Sequence, residues 1–128
     1  MREEDERLTK NFKRSEFRCP CCGWADIDME VVETLQVLRS FTGRQVIVTS
    51  GCRCENRNRE VGGSKKSRHL EGKAADFYIS GWGSAKTFEL VKKLYKEGKI
   101  YVGYFYIINS RAVHLDVRRP ISLTVGRW

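Results

Sequence analysis

The stretch VHLDVR, at residues 113–118, alternates apolar and polar side chains along its whole length. A period of two is typical of a β-strand with one buried face, because successive side chains of a strand point to opposite sides. The apolar side chains suit a hydrophobic core, and they belong to Val113, Leu115 and Val117. The polar side chains would line a cleft or meet solvent, and they belong to His114, Asp116 and Arg118.

Two other segments have the spacing of amphipathic helices. The first begins at Ile27, and its apolar face consists of Ile27, Val31, Leu35 and Leu38. Asp26 or Asp28 can cap its start, and Gly43 can end it. The second spans residues 84–98, with Ser84 as the predicted N-cap and Gly98 at the end. Its apolar stripe consists of Phe88, Val91, Leu94 and Tyr95.

Runs of β-branched and aromatic residues predict three more strands, at residues 45–50, 74–79 and 100–108. The last of these would form a hairpin with the strand at 112–118 through the short NSR turn. Residues 51–67 are polar, and we expect a long loop there. The order of elements predicts an α+β fold, a small antiparallel sheet with helices packed on one side.

The 128 residues suit a single domain, and residues 1–10 read as a frayed start or a short helix. No run approaches the roughly 18 apolar residues of a membrane-spanning helix. The start of the chain lacks the apolar region of a secretory signal, so we expect synthesis in the cytoplasm without a signal peptide. The net charge of +8 favours polyanionic partners, which include nucleic acid, anionic membrane and cell-wall polymers.

The chain has only two histidines, and each has an aspartate nearby. His69 precedes Asp76 by seven positions, and Gly72 between them permits a tight turn. Two imidazoles and one carboxylate suit Zn²⁺, and three protein ligands leave a fourth position for a water whose pKa falls to about 7. The alternative is that each histidine is an ordinary surface or core residue.

These segments resemble the zinc D-Ala-D-Ala carboxypeptidase family, the murein peptidases related to D-alanyl-D-alanine dipeptidases and hedgehog domains. The central pattern S-x-H-x-x-G-x-A-x-D is matched by Ser67, His69, Gly72, Ala74 and Asp76. An upstream S-G-x-R pattern is matched by Ser50, Gly51 and Arg53, and a later H-x-D pattern by His114 and Asp116. The similarity runs from about Phe12 to the C-terminus.

The resemblance implies a hedgehog- or D,D-peptidase-like fold with one catalytic zinc held by His69, Asp76 and His114. It implies a D,D-carboxypeptidase or endopeptidase that acts on the stem peptides of peptidoglycan. Many small members without a secretion signal are phage or prophage endolysins, which a holin releases to the wall. We therefore expect a monomer that binds neither nucleic acid nor membrane.

The same resemblance suggests roles for three other side chains. Asp116 is the candidate general base, because it shares a strand face with the last histidine. Arg53 would stabilise the oxyanion or hold a substrate carboxylate, and Ser67 would hydrogen-bond the substrate or a ligand. The alternatives are that Arg53 is a solvated surface residue and that the Ser67 hydroxyl only caps a loop or helix.

The chain departs from many relatives at the position three residues before the last histidine. Those relatives place the acid/base carboxylate there, whereas this chain has Arg111. Glu71 is the reserve candidate for the base. Binding of zinc without efficient turnover is a third alternative.

The five cysteines fall into two clusters, C-P-C-C and C-R-C. Four thiolates can hold a second, structural zinc, and the candidate ligands are Cys19, Cys22, Cys52 and Cys54. Such a site would tie the N-terminal segment to the loop that carries Arg53. A disulfide between the clusters and free thiols are the alternatives.

A function of another class is a basic zinc-binding module without catalysis, either a nucleic-acid-binding protein or a phage structural protein. It would use the cysteines and the basic loops RCENRNRE and KKSRH. Against it, the lysines and arginines are spread over the chain, and no basic motif interleaved with aromatic residues is present.

Overall fold

The computed structural model describes residues 5–118, which form two small antiparallel sheets, three α-helices and two 3₁₀ helices. The strands are β1 (Arg7–Thr9), β2 (Phe12–Lys13), β3 (Val46–Ser50), β4 (Ala74–Ile79), β5 (Tyr104–Ile107) and β6 (Val113–Asp116). The α-helices are α1 (Met29–Thr42), α2 (Glu55–Glu60) and α3 (Ser84–Lys96). The 3₁₀ helices are Arg14–Phe17 and Arg68–Glu71.

The larger sheet has four strands in the order β3-β4-β6-β5, and every neighbouring pair is antiparallel. Strand β1 pairs with β2 in a separate ribbon. In the four-stranded sheet the register places Asp76 opposite His114, and it also places Ser50 opposite Asp76. The predicted α+β class with an antiparallel sheet is confirmed.

One face of this sheet packs against α1 and α3. The strand residues on that face are fully or nearly fully buried, and they include Ala75, Phe77, Ile79, Phe105, Val113 and Leu115. The helices add Val31, Val32, Leu35, Leu38, Val91 and Leu94 to the same core. The period-two pattern thus sends every second strand residue into the core, and the residues between them occupy the opposite face.

The ends of α1 follow the sequence prediction closely. The Asp28 carboxylate accepts a hydrogen bond of 2.8 Å from the Glu30 N–H, so Asp28 is the N-cap and Asp26 is not. Gly43 ends the helix as predicted. The helix begins at Met29, two residues later than expected, and Ile27 is buried ahead of it.

The predicted cap of α3 is wrong. Gly83 occupies the N-cap position without a side-chain hydrogen bond, and Ser84 is the first helical residue. Ser84 is buried, and its N–H donates to the Ser110 carbonyl at 2.9 Å. A tertiary hydrogen bond therefore takes the place of the local cap that the sequence suggested.

Three further expectations need correction. The loop expected at residues 51–67 contains helix α2, which has six residues and no apolar stripe by which to detect it. In the segment expected to fray or form a helix, residues 7–9 form a strand, and residues 1–4 lie outside the described residues. Strand β5 starts at Tyr104 rather than at residue 100. Within residues 5–118, no helix is long and apolar enough to cross a membrane.

We predict that Gly72→Ala destabilises the protein more than Gly98→Ala. Both glycines have a left-handed backbone, with φ of +70° and +76°, so alanine costs about 1–2 kcal/mol at either position. An added Cβ at position 72 would lie 2.5 Å from the Asp26 carbonyl oxygen, whereas position 98 has no atom within 4 Å. Overpacking should therefore add about 1–3 kcal/mol to the stability lost in Gly72→Ala. Urea unfolding measures the difference, and equal losses would contradict it.

Candidate metal centre

Two strands and a 3₁₀ helix bring together the three predicted metal ligands. Asp76 in β4 lies opposite His114 in β6, and His69 comes from the 3₁₀ helix that precedes β4. Asp76 Oδ1 is 2.8 Å from His114 Nδ1 and 3.1 Å from His69 Nε2. The three ligand atoms lie within 4.8 Å of one another, and all three residues are buried.

The His69 ring is fixed from behind by a backbone carbonyl. Its Nδ1 lies 2.6 Å from the Gly51 oxygen. Because a carbonyl can only accept, Nδ1 donates its hydrogen there and Nε2 is the atom that faces Asp76. The Ser67 hydroxyl accepts from the His69 N–H at 3.2 Å and caps the 3₁₀ helix. Ser67 therefore makes the capping contact that was the alternative to binding a substrate or a ligand. Its contact with substrate stays a prediction.

The Gly51 carbonyl is itself held in place by a close backbone approach. A Cβ at position 51 would lie 2.7 Å from the Phe17 Cα, so only glycine fits against that segment. The neighbouring Cys52 N–H donates to the Phe17 carbonyl at 2.9 Å. The S-G-x-R segment is therefore packed directly on the first 3₁₀ helix.

The His114 ring is held between two carboxylates. Its Nδ1 faces Asp76, and its Nε2 lies 2.9 Å from Asp116 Oδ2. Burial lowers the pKa of His114, but the hydrogen bonds to Asp116 and Asp76 outweigh it and raise the pKa overall. Each ring nitrogen faces a carboxylate oxygen, which accepts, so the metal-free arrangement suits hydrogens on both nitrogens. A metal ion at Nδ1 would replace one of them, while Nε2–H would keep its bond to Asp116.

Asp116 has both oxygens engaged and no exposed surface. Arg118 donates to its Oδ1 from Nε at 2.9 Å and to its Oδ2 from Nη2 at 2.7 Å. Burial raises the pKa of Asp116, but the hydrogen bonds from His114 and Arg118 lower it below the usual range. Asp116 is therefore an anion fixed behind His114, and its predicted role as the base stays a prediction.

Arg53 reaches the second oxygen of the central carboxylate. Its Nη2 lies 3.3 Å from Asp76 Oδ2, while Nε donates to the Ser50 hydroxyl and Nη1 to the Asn58 side chain, each at 3.1 Å. Burial raises the pKa of Asp76, but the hydrogen bonds from His114 and His69 hold it well below the usual range. The other oxygen of Asp76, Oδ1, faces the two histidines.

A cavity of about 540 Å³ opens onto this centre. Its lining combines cations with apolar side chains, and includes Arg53, Lys66, Arg68, Arg118, Val61, Tyr104, Tyr106 and Ile108. Among the described residues that line it, Asp76 is the one carboxylate.

Tyr106 is a site residue that the sequence reasoning missed. Its ring stacks on His114 with centroids 4.6 Å apart and an interplanar angle of 14°. The residue lies opposite His114 in the β5–β6 pair. The aromatic run in IYVGYFYII was the available signal, but the hairpin register was needed to place Tyr106 beside the histidine.

The other two positions considered for the catalytic base, 71 and 111, lie outside this cavity. Glu71 is exposed and lies 3.4 Å from an Arg68 nitrogen. Arg111 places its guanidinium over the Tyr78 ring, 4.0 Å from the centroid. Neither residue lines the cavity that opens onto the two histidines.

The donor set fits a zinc ion. Two imidazole nitrogens and a carboxylate oxygen are typical zinc ligands, and three protein ligands are the number found in catalytic zinc sites. A single carboxylate oxygen faces both ring nitrogens, which are the atoms that a cation would separate. His69, Asp76 and His114 are thus the residues that would hold the metal.

Three of the four cysteines proposed from the sequence also come together. The Cys19, Cys22 and Cys54 sulfurs lie within 4.8 Å of one another. Cys52 is not part of this group, and its side chain is buried in the hydrophobic core. No disulfide joins the cysteines, all of which fall within the described residues.

A family model described as Peptidase M15 matches the chain over residues 10–116. The matched range contains the whole His-Asp-His centre and both groups of cysteines. A search of curated proteins finds no match.

We predict that Asp76→Asn and His114→Ala each lower the zinc content by one ion per chain. The first removes the only carboxylate of the centre and the second removes an imidazole, so affinity should fall by more than the roughly 10–100-fold typical of outer-shell changes. Metal analysis after dialysis against a weak chelator measures the loss. Glu71→Gln, an exposed carboxylate outside the centre, is the control and should keep its zinc. Unchanged zinc in His114→Ala would contradict the ligand assignment.

Proposed function

The chain belongs to the peptidase M15 family, and from this premise we propose that it is a zinc-dependent peptidase that hydrolyses peptide bonds in bacterial peptidoglycan. Family membership makes it a metallopeptidase. The observation that carries the proposal is the buried group of His69, Asp76 and His114 at the base of an open cavity. A structural metal site would be closed by a fourth side chain, whereas this one faces space for a substrate.

The protein residues contribute orientation and charge. When bound, zinc supplies a Lewis acid that polarises a carbonyl and makes water a nucleophile at neutral pH. The Gly51 carbonyl and the Asp116 carboxylate fix the two imidazole rings from behind. Arg53 holds the outer oxygen of Asp76 and lines the same cavity. Its guanidinium is therefore placed to stabilise negative charge that develops on a substrate oxygen.

The cavity supports a peptide substrate that carries a carboxylate. Lys66, Arg68 and Arg118 lie in its wall, and cationic side chains bind carboxylates through charge-assisted hydrogen bonds. Tyr104 and Tyr106 supply apolar area for a short peptide. These features suit the stem peptides of peptidoglycan, whose terminal D-alanine ends in a carboxylate. The specific activity proposed is that of a D,D-carboxypeptidase or endopeptidase.

The proposed setting is that of a phage or prophage endolysin. The protein would be made in the cytoplasm and act on the wall after release through a holin-type pore. The net charge of +8 supports this setting, because it attracts the chain to anionic wall polymers.

We predict that the zinc-loaded protein releases products from purified peptidoglycan, and that a chelator stops the reaction until zinc is restored. Mass spectrometry of the muropeptides identifies the bond. Loss of terminal D-alanine indicates a carboxypeptidase, whereas conversion of dimers to monomers indicates an endopeptidase. Asp76→Asn is the inactive control. Zinc-loaded protein that leaves peptidoglycan unchanged would contradict the proposal and favour the non-catalytic module.

We predict that Asp116→Asn weakens zinc binding about 10–100-fold and that activity returns when zinc is in excess. The contacts of Asp116 support a residue that orients His114, because its two oxygens are used by His114 and Arg118 and it has no exposed surface. A general base would instead lose about 10²–10⁴-fold in kcat at saturating zinc. A zinc titration of kcat in both proteins separates the two roles. A loss of that size that zinc does not restore would make Asp116 the base.

A further inference from the structure

A group of thiols lies outside the peptidase site, on the segment that packs behind it. Cys19 and Cys22 come from the turn that precedes α1, and Cys54 comes from the start of α2, more than thirty residues later. The Cys19 and Cys54 sulfurs are 3.8 Å apart, and the Cys22 sulfur lies within 4.8 Å of both. Cys19 is buried, Cys54 is half-buried and Cys22 is exposed.

Backbone amides surround these sulfurs. The Cys54 N–H donates to the Cys19 sulfur, and the Arg57 N–H donates to the Cys54 sulfur, both at 3.4 Å. Amide hydrogen bonds to sulfur stabilise the thiolate, which is the form of cysteine that binds metal.

The turn that carries the first two sulfurs is closed by its own backbone. The Gly23 N–H donates to the Cys19 carbonyl at 2.9 Å, and the Cys19 N–H donates to the Trp24 carbonyl at 2.7 Å. The C-x-x-C spacing of Cys19 and Cys22 is one that structural zinc sites use. The turn therefore presents two sulfurs from one side while Cys54 approaches from the other.

We propose that Cys19, Cys22 and Cys54 bind a second, structural zinc ion, with Cys21 as the fourth ligand. Sulfur ligands in a tetrahedral arrangement select zinc among the common divalent ions. The Cys21 sulfur accepts a hydrogen bond from the Asn56 side chain at 3.7 Å, and Asn56 lies two residues after Cys54, so Cys21 borders the group. Cys52 does not take part, since its side chain lies in the hydrophobic core and its sulfur is not in this group.

The second ion would fix the loop that supports the peptidase centre. Cys54 directly follows Arg53, whose guanidinium reaches Asp76, and it lies three residues after Gly51, whose carbonyl orients His69. A zinc ion on the other side of this loop would join it to the turn before α1. The thiol group would bind zinc whether or not the chain hydrolyses peptides.

The test uses the full chain, purified in reductant, stripped with a chelator and reloaded with Co²⁺ or Zn²⁺. We expect two metal ions per chain and a thiolate-to-cobalt charge-transfer absorption band. Cys22→Ser should lose one ion and most of the band, whereas His114→Ala should lose one ion and keep the band. Absence of the band from the cobalt-loaded parent, or two zinc ions retained by Cys22→Ser, would overturn the proposal.

Two further cysteine variants test the ligand set. Cys52→Ala is the matched control, and it should keep both ions and the band. Cys21→Ser should weaken the second site at least tenfold, as judged by competition with a chromophoric chelator. Loss of the band in Cys52→Ala, or unchanged affinity in Cys21→Ser, would overturn the assignment of the fourth ligand.

The unmodified chain provides a readout that does not depend on folding of a variant. Bound zinc should slow alkylation of Cys19, Cys22 and Cys54, measured by peptide mass spectrometry, and chelation should restore the rate. After zinc removal and denaturation without reductant, all five cysteines should titrate as free thiols. Two missing thiols would indicate a disulfide and overturn the metal site, and so would alkylation that zinc does not slow.

Discussion

The structure of the site depends on one carboxylate that is shared by two imidazoles. Asp76 Oδ1 faces His69 and His114, and Oδ2 faces Arg53. A buried carboxylate needs such partners, because an uncompensated charge in the interior costs several kcal/mol. Each partner comes from a different part of the chain. The position of this single side chain therefore ties the loop after β3, the 3₁₀ helix before β4 and strand β6 into one unit.

The remaining contacts keep the two rings from turning. A histidine can present either nitrogen to a metal, and the hydrogen bond at the other nitrogen decides which one it is. For His69 the other nitrogen is bonded to the Gly51 carbonyl, so Nε2 is the atom presented. For His114 the other nitrogen is bonded to Asp116, so Nδ1 is the atom presented. The chain uses opposite nitrogens of its two histidines, Nε2 of the first and Nδ1 of the second. His69 approaches Asp76 from the 3₁₀ helix, and His114 approaches it from the neighbouring strand.

Much of this site could be predicted from the sequence, because its ligands lie in regular patterns. The alternation around His114 placed it on the face opposite Val113 and Leu115, and the motif spacing selected Asp76 and His69. The contacts of Asp116 and Tyr106 could not be predicted. They depend on the hairpin register and on Arg118, which competes for the Asp116 carboxylate, and neither is visible as a local pattern. Helix α2 was missed for a similar reason, since its one buried side chain is the polar Asn58 and it has no apolar stripe.

The charges of the site explain how it can be preformed. The side chains buried around the two histidines include two anions, Asp76 and Asp116, and each has an arginine in direct contact, Arg53 for the first and Arg118 for the second. These ion pairs compensate the buried carboxylates within the protein, so the fold does not depend on a metal ion to neutralise them. The ligand atoms can then be in place before the ion arrives, and little of the binding energy is used to order them. The thiol group is built differently, because hydrogen bonds from backbone amides, and not a buried arginine, are what favour its charged form. There the ion itself would supply the balancing positive charge, which is the arrangement expected where a metal stabilises a fold rather than one where it acts on a substrate.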